Sequence, residues 1–365
     1  MDVHRCRFVN YPASTINAIA FSHTQIIASQ ARTTAALRLA IGRANGDIEI
    51  WNPLQGAWHQ ETIIRGGKDR SIDGLVWIRD PNEDVQGKTL IGRSRLFSIG
   101  YTTSVTEWDL ENGVPLRSAN GSHGEIWCLA AQPKGSEVEA QGQDLIAGCV
   151  DGALVLYSTR DGGLELQKVF SRPSAKKAKI ISVVYKDRHH VVAGCSDSTI
   201  RMYDSRNGQL LRNMTLGSAP KGGPREIIVW SVIMLVNGDV VSGDSTGEIK
   251  IWDGKTNTLK QRVRSHKQDV LSLAVSADGS TIMSGGMDRR TVVYKKSGKK
   301  GRWNEIVHRR YHQNDVKTMA SFEGKGMSVV VTGGKSSKFL SNRSSNIFRR
   351  TRRHSCGDAT KASWL

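Results

Sequence analysis

Two stretches of the sequence concentrate groups able to hold phosphate: Arg172-Pro173-Ser174-Ala175-Lys176-Lys177-Ala178-Lys179 and Lys295-Lys296-Ser297-Gly298-Lys299-Lys300-Gly301-Arg302. Ammonium and guanidinium groups at this density bind a polyanion through its backbone, releasing counterions and reading no sequence. The candidate RNA contacts are Lys176, Lys177, Lys179, Lys299, Lys300 and Arg302. The Pro, Ser and Gly among them predict loops, and a solvated loop that only keeps the protein soluble is the competing reading. The whole chain leans the same way: 52 Lys+Arg against 34 Asp+Glu leave +18 over 365 residues. That surplus is the electrostatic footprint of a protein working beside a polyanion.

Other chemistries find no frame. There is no Gly-x-Ser-x-Gly elbow, no phosphate-binding Gly-x-x-x-x-Gly-Lys-Ser/Thr loop and no His-Glu-x-x-His pair. Ser297-Gly298-Lys299-Lys300 lacks the first Gly at the required spacing, and His189-His190 reads as a surface turn rather than a metal site, with no Cys or carboxylate partner at ligand spacing. Five scattered cysteines, never Cys-x-x-Cys, fit small buried hydrophobes better than a disulfide frame or a zinc site. No catalytic residue, cofactor, metal or small-molecule substrate is expected. The N-terminus has no apolar signal region, and the longest apolar stretch, Ile227 to Val236, contains Ser231 and is too short for a bilayer, so an intracellular protein without membrane contact is expected.

The elements that must position the basic loops come from a repeat. An apolar pair, Gly, a polar turn and an alternating segment closed by Trp or Tyr recur six times: Ala40-Ile41-Gly42 to Trp51, Ser98-Ile99-Gly100 to Trp108, Ile146-Ala147-Gly148 to Tyr157, Val192-Ala193-Gly194 to Tyr203, Val241-Ser242-Gly243 to Trp252 and Met283-Ser284-Gly285 to Tyr294. Gly precedes the aromatic by nine residues in five copies and by eight in one. Each copy predicts a hairpin, preceded by an apolar strand (Ile16 to Phe21, Ile72 to Ile78, Ile126 to Ala131, Ile180 to Tyr185, Ile227 to Leu235, Val270 to Val275) and followed by a weaker fourth one. Four short antiparallel strands repeated around a ring make a β-propeller, so the fold class is all-β and the chain one ring rather than two domains.

These residues resemble the WD40 repeat family, with Trp-Asp or Tyr-Asp endings at Trp108-Asp109, Tyr203-Asp204 and Trp252-Asp253 and openings at Ser122-His123, Ser265-His266 and Tyr311-His312. The resemblance implies seven blades and a buried His, Ser/Thr, Asp and Trp network. His266, Ser284 and Asp288 supply three members in the sixth copy, and Tyr294 in place of Trp leaves that network incomplete by this expectation. The seventh blade is expected to be incomplete as well. Val316 to Phe322 and Ser328 to Thr332 are its first two strands, no third strand is announced, and Val3 to Val9 is expected to close the ring as outermost strand. The propeller thus spans 1–334, and 335–365 reads as a Ser/Arg-rich disordered tail with eight Lys/Arg against one acid.

More specific phrases extend into loops: Val3-His4-Arg5-Cys6-Arg7-Phe8, Ser14-Thr15-Ile16-Asn17-Ala18, Leu39 to Trp51, Ser122 to Trp127, Val240 to Gly247 and Ser265 to Val270. In these the chain resembles, over about residues 1 to 334, the cirhin family of WD40 proteins, subunits of the UtpA subcomplex of the small-subunit processome. The resemblance implies a non-enzymatic nucleolar scaffold of ribosome biogenesis, in the nucleus, with the other UtpA subunits, small-subunit processome proteins and the 5′ external transcribed spacer of pre-ribosomal RNA as partners. It supports pre-rRNA processing toward small-subunit rRNA, and rRNA transcription. Members of that family carry a second propeller, so the change of composition at Gly334 is expected to mark a truncated or mis-spliced gene. A generic WD40 adaptor, such as a ubiquitin-ligase substrate receptor, is the alternative.

Overall fold

The computed structural model describes residues 2–5, 14–23, 25–26, 36–53, 58–67, 70–86, 88–133, 143–170, 178–218, 225–297, 301–324, 327–335 and 340–343. Each repeat folds as the alternation dictates, into a four-stranded antiparallel sheet whose strands follow one another from the ring centre outward. Blade 1 is Ile16–Phe21, Leu39–Arg43, Ile48–Asn52 and His59–Ile64; blade 2 is Gly74–Arg79, Ser94–Ile99, Ser104–Asp109 and Val114–Asn120. Blade 3 is Ile126–Ala131, Leu145–Cys149, Leu154–Ser158 and Glu165–Val169; blade 4 is Ile180–Tyr185, His190–Cys195, Thr199–Asp204 and Leu210–Thr215. Blade 5 is Val229–Met234, Val240–Asp244, Glu248–Trp252 and Leu259–Arg264; blade 6 is Val270–Val275, Thr281–Gly286, Thr291–Ser297 and Arg302–Arg309. A small hairpin, Glu83–Val85 with Lys88–Leu90, is inserted between the first two strands of blade 2.

Against the seven blades that the resemblance implies, with the last incomplete, the structure has six, and the sheet between blades 6 and 1 is built differently. It orders Gln25–Ile26, Val316–Gly324, Met327–Gly334, Leu340–Arg343 and Asp2–Arg5. Its third strand, Leu340–Arg343, is the one the sequence does not announce: Leu-Ser-Asn-Arg carries no alternation, and pairing on both sides holds it extended, to Val329–Thr332 and to Asp2–Arg5. The N-terminal strand takes the outermost place as expected, at Asp2–Arg5. Two residues from the first excursion of blade 1, Gln25 and Ile26, add a parallel strand along Glu323 and Gly324. Residues 344–365 lie outside the described residues.

The repeated Gly has a steric reason. In the second strand of the hairpin it faces a β-branched residue at the start of, or just before, the next sheet's innermost strand. A Cβ at Gly42 would stand 2.4 Å from Cγ2 of Ile72, and one at Gly148 2.4 Å from Cγ2 of Ile180. The same clash recurs at Gly194 with Val229, Gly243 with Val270, Gly285 with Val316 and Gly333 with Ile16. Blade 2 explains the one interval of eight residues: Ile99 occupies the equivalent register, opposite Gly74 of its own innermost strand, and Gly100 comes one place later.

Seven apolar clusters fill the seams between neighbouring sheets. The seam closing the ring joins Ile16, Ile19, Phe21 and Leu39 to Phe322, Val329 and Val331. The seam between blade 6 and the closing sheet is the thinnest, with Ala274, Met283, Val293 and Val330. Among the described residues no helix is long and apolar enough to cross a membrane.

Gly333→Ala would push a methyl to 2.6 Å from Ile16 across the closing seam, a forced overpacking of about 1–3 kcal/mol. Gly238→Ala meets nothing within 4 Å and carries only the strain of its φ of +83°, about 1 kcal/mol. Denaturant midpoints of the two variants should therefore differ, Gly333→Ala unfolding first.

Candidate nucleic-acid interface

Strand direction divides the loops between two faces. The upper face collects the turns between second and third strands and the connections into the next blade; the lower face collects the turns between first and second and between third and outermost strands. Lys179 sits on the upper face, where blade 3 passes into blade 4. It is exposed, and its backbone is fixed by an N–H donated to Ser196 Oγ at 3.0 Å and a carbonyl accepting from Ser196 N at 3.0 Å. Arg302 sits on the lower face, exposed at the start of the outermost strand of blade 6. The expected loop there is a hairpin in which Lys295 and Lys296 belong to a strand, Lys296 lying 5.2 Å from the Trp303 ring centroid. Lys176, Lys177, Lys299 and Lys300 lie outside the described residues. Lys179 and Arg302 thus lie on opposite faces.

On the upper face the structure assembles cations that the sequence scatters. Lys179, Arg225, Lys267 and Arg310 are exposed at four successive junctions, from blade 3 round to the closing sheet. Inside this arc lies a ring of bulged residues. Six of the innermost strands shift register at their second residue, namely Asn17, Trp127, Ile181, Trp230, Leu271 and Lys317. A bulge re-aims the side chain it frees. Successive bulges touch: Lys317 Nζ donates to Asn17 Oδ1 at 3.3 Å, and Asn17 Nδ2 to Asp73 Oδ1 at 2.8 Å. Trp230 Nε1 donates to Asp269 Oδ2 at 2.7 Å.

Most of the tryptophans are core: Trp51, Trp77, Trp108, Trp252 and Trp303 are all buried. Trp127 and Trp230 are half-buried. Trp127 packs edge-on against the exposed Tyr101, centroids 5.5 Å apart at 71°. Half-buried indoles inside an arc of exposed cations can stack bases while the cations hold phosphates. Neither the arc nor the ring of bulged residues is visible as a motif, because each member comes from a different repeat.

The buried polar groups serve the ring. His266 Nδ1 lies 2.9 Å from Asp288 Oδ1, His266 Nε2 2.6 Å from Ser284 Oγ, and Ser284 Oγ 3.1 Å from the Tyr294 hydroxyl. The network expected to be incomplete is therefore complete, because a phenol reaches the serine as an indole does elsewhere: Trp108 Nε1 donates to Ser98 Oγ at 2.8 Å and Trp252 Nε1 to Ser242 Oγ at 3.0 Å. A Ser, His and Asp in this order are the parts of an acyl-transfer triad. Here Ser284 is fully buried and no substrate reaches it.

Three blades also bury a charge two residues before the closing aromatic, which alternation alone reads as an ordinary polar position. Glu49 pairs with Arg43 and accepts from Trp51 Nε1 at 2.9 Å. Arg201 pairs with Asp197, and Lys250 with Asp244 and, at 2.8 Å, with Glu248. In blade 2, Arg95 holds Glu107 through two bonds of 2.7 and 2.8 Å and reaches carbonyls of Thr159 and Gly163 in blade 3. His190 Nδ1 stands 2.8 Å from Asp187 Oδ2, closing a turn, and among the described residues no group of three His, Cys, Asp or Glu could hold a metal.

Comparison with known proteins agrees with this architecture. Residues 257–295 match the family "WD domain, G-beta repeat", covering the end of blade 5 and the first three strands of blade 6. The chain is 38% identical over 338 residues to U3 small nucleolar RNA-associated protein 4 of Schizosaccharomyces pombe, covering 92% of this chain and 44% of that protein. It is 40% identical over 346 residues to the protein of that name in Saccharomyces cerevisiae, covering 92% and 41%. To the human homolog it is 29% identical over 341 residues, 91% and 44%. The chain spans less than half the length of these relatives.

Burial lowers His266 from its ordinary 6.5 despite Asp288, and lowers His312, 2.8 Å from Thr332 Oγ1, to about 4. The unfolded chain takes up these protons near pH 6.5 and the folded chain at lower pH, so stability is full above pH 6.5 and falls as pH drops toward 4. His312 alone accounts for at most about 3 kcal/mol over that window. Denaturant midpoints at pH 7.5 and 4.5 should lie closer together in His312→Gln than in the parent chain.

Proposed function

We propose that the chain is a non-enzymatic scaffold of ribosome biogenesis, a component of the small-subunit processome in the nucleolus that supports maturation of small-subunit rRNA and rRNA transcription. The observation that carries this reading is the identity of 38–40% to two proteins named U3 small nucleolar RNA-associated protein 4, along 92% of the chain. Similarity at that level over the whole ring, loops included, reaches past the shared fold. Its partners by this reading are the other UtpA subunits, further processome proteins and the 5′ external transcribed spacer of pre-ribosomal RNA. A single ring holds them, six blades and a closing sheet that takes in Leu340–Arg343 beyond the boundary expected at 334.

The cationic arc favours the upper face for RNA. Lys179 belongs to that arc, and Lys176 and Lys177 precede it in the chain; Lys299, Lys300 and Arg302 serve a separate contact. Contacts of this kind position the RNA and leave its sequence unread.

Tagged chain recovered from nuclear extract, with and without ribonuclease, should bring down small-subunit processome proteins and 5′ spacer RNA. Ubiquitin-ligase components or chaperones alone would overturn the reading. In RNA titrations at several salt concentrations, replacing Lys176, Lys177 and Lys179 by Ala should flatten the salt dependence by about one unit of slope for each phosphate the loop no longer neutralises; an unchanged slope removes this loop from the interface.

A further inference from the structure

The turn between the second and third strands of blade 2 carries a backbone strain that packing does not offset. Tyr101 holds φ at +32°, a conformation that residues with a side chain rarely adopt. Its flanks fix it there. Gly100 presses on the Ser71 carbonyl with no room for a Cβ, and the Thr102 carbonyl accepts from Ile126 N at 2.8 Å, at the start of the innermost strand of blade 3. Ser104 N donates to Thr102 Oγ1 at 3.4 Å across the turn. The phenol ring held in this way is 51% exposed, so the core gains little from it. What the turn achieves is to set that ring edge-on against Trp127, centroids 5.5 Å apart at 71°. Trp127 is itself re-aimed: it is the residue skipped by the ladder between Ile126 and Cys128, and it stays half-buried on the upper face. Strain enforced from both sides on an exposed side chain points to a ligand rather than to the fold.

Two rings near a right angle form a corner, one wall for the face of a planar group and one for its edge. The charges around it select among planar guests. Lys179, Arg225, Lys267 and Arg310 are exposed on the same face and oppose a cation. Glu125, exposed two residues before Trp127, opposes a phosphate set directly on the rings. The neighbouring Asp151 is engaged, its carboxylate accepting from Gly124 N at 2.9 Å and Ala153 N at 3.0 Å. A neutral base whose phosphates reach outward to Lys179 meets each of these conditions. We infer that Tyr101 and Trp127 form a stacking station for one unpaired base, through which the upper face favours single-stranded over duplex RNA. Every base has a π-face, so the station tolerates any sequence. In a duplex both faces of a base are covered by its neighbours, and single-stranded loops and ends are where bases splay out onto aromatic side chains. The inference rests on the reading that the chain works on RNA, and it adds a choice of RNA structure to the phosphate contacts of the arc.

Fluorescence-anisotropy titration of the full chain tests it, with an unstructured RNA strand of about ten nucleotides and with the same strand annealed to its complement. The single strand should bind the more tightly. Tyr101→Gly and Trp127→Leu should each weaken it by about tenfold, with its salt slope and the duplex affinity unchanged, whereas Lys179→Ala should lower the slope. Tyr101→Phe should bind as the parent does, because the ring and not the hydroxyl stacks. Glycine relieves the strain at position 101, so a melting temperature no lower than the parent's would show that the lost affinity is not lost folding. Equal affinity for the two RNAs, single-strand binding that survives both ring deletions, or tighter binding of a proline-rich peptide than of the single strand would overturn the inference. Should the parent chain recover 5′ spacer RNA from extract and yet bind both RNAs alike, the station falls alone and the scaffold reading stands; a parent chain that binds neither RNA and recovers none overturns both.

Discussion

Everything in this molecule hangs on how closely one sheet approaches the next. At six seams a glycine stands where any side chain would drive a methyl to within 2.4–2.7 Å of an Ile or Val on the neighbouring innermost strand or at its entry. That approach lets the first side chain of each innermost strand, among them Ile16, Ile180, Val229 and Val270, lie fully buried. The residue after it is thrown out of the ladder as a bulge. The inner rim, with its indoles and its Lys317, Asn17 and Asp73 chain, is thus a by-product of seam packing, and the same geometry that excludes water from the core presents functional groups at the ring's mouth.

The polar interior shows how little of a repeat must be kept for the fold to persist. The closing aromatic finds its partner in a serine in blades 2, 5 and 6, in Glu49 in blade 1 and in His123, at 2.9 Å, in blade 3. Buried ion pairs do not add much net stability against apolar replacements, since desolvation offsets most of the attraction. What they do impose is register: Lys250 between Asp244 and Glu248 leaves a charge orphaned if its strand slips by one residue, because a slip reverses every side chain.

The six hairpins were legible because Gly and aromatic are fixed points at constant spacing, each with a local steric or packing cause. Leu340–Arg343 was not, since its strand state comes from two neighbours, one of them at the opposite end of the chain. The completed network around Tyr294 was missed for a simpler reason: family pattern names an indole, whereas the physical need is a polar hydrogen within reach of Ser284 Oγ, which a phenol satisfies. Candidate contacts chosen as runs of Lys and Arg include Lys179 but not the rest of the arc, because Arg225, Lys267 and Arg310 are single cations brought together by ring closure. The buried charge two residues before the aromatic did carry a signal, recurring as Glu49, Arg201 and Lys250, that counting hydrophobic alternation discards.

The pairing of Asp2 with Arg343 also sets a timetable. During synthesis at roughly 5–20 residues per second, the N-terminal strand waits some tens of seconds for the strand it must join. Through that interval the inner flank of blade 1, including Ile16 and Phe21, has no Phe322 or Val331 to cover it. Blades 1 to 6 can stack in order as they emerge, each on the one before, but the last step is a long-range closure of the kind that makes β-rich chains slow to fold. A nascent ring held open in this way presents an unpaired edge to its surroundings, and a chaperone bound there until closure would guard the stretch most prone to pair with another chain.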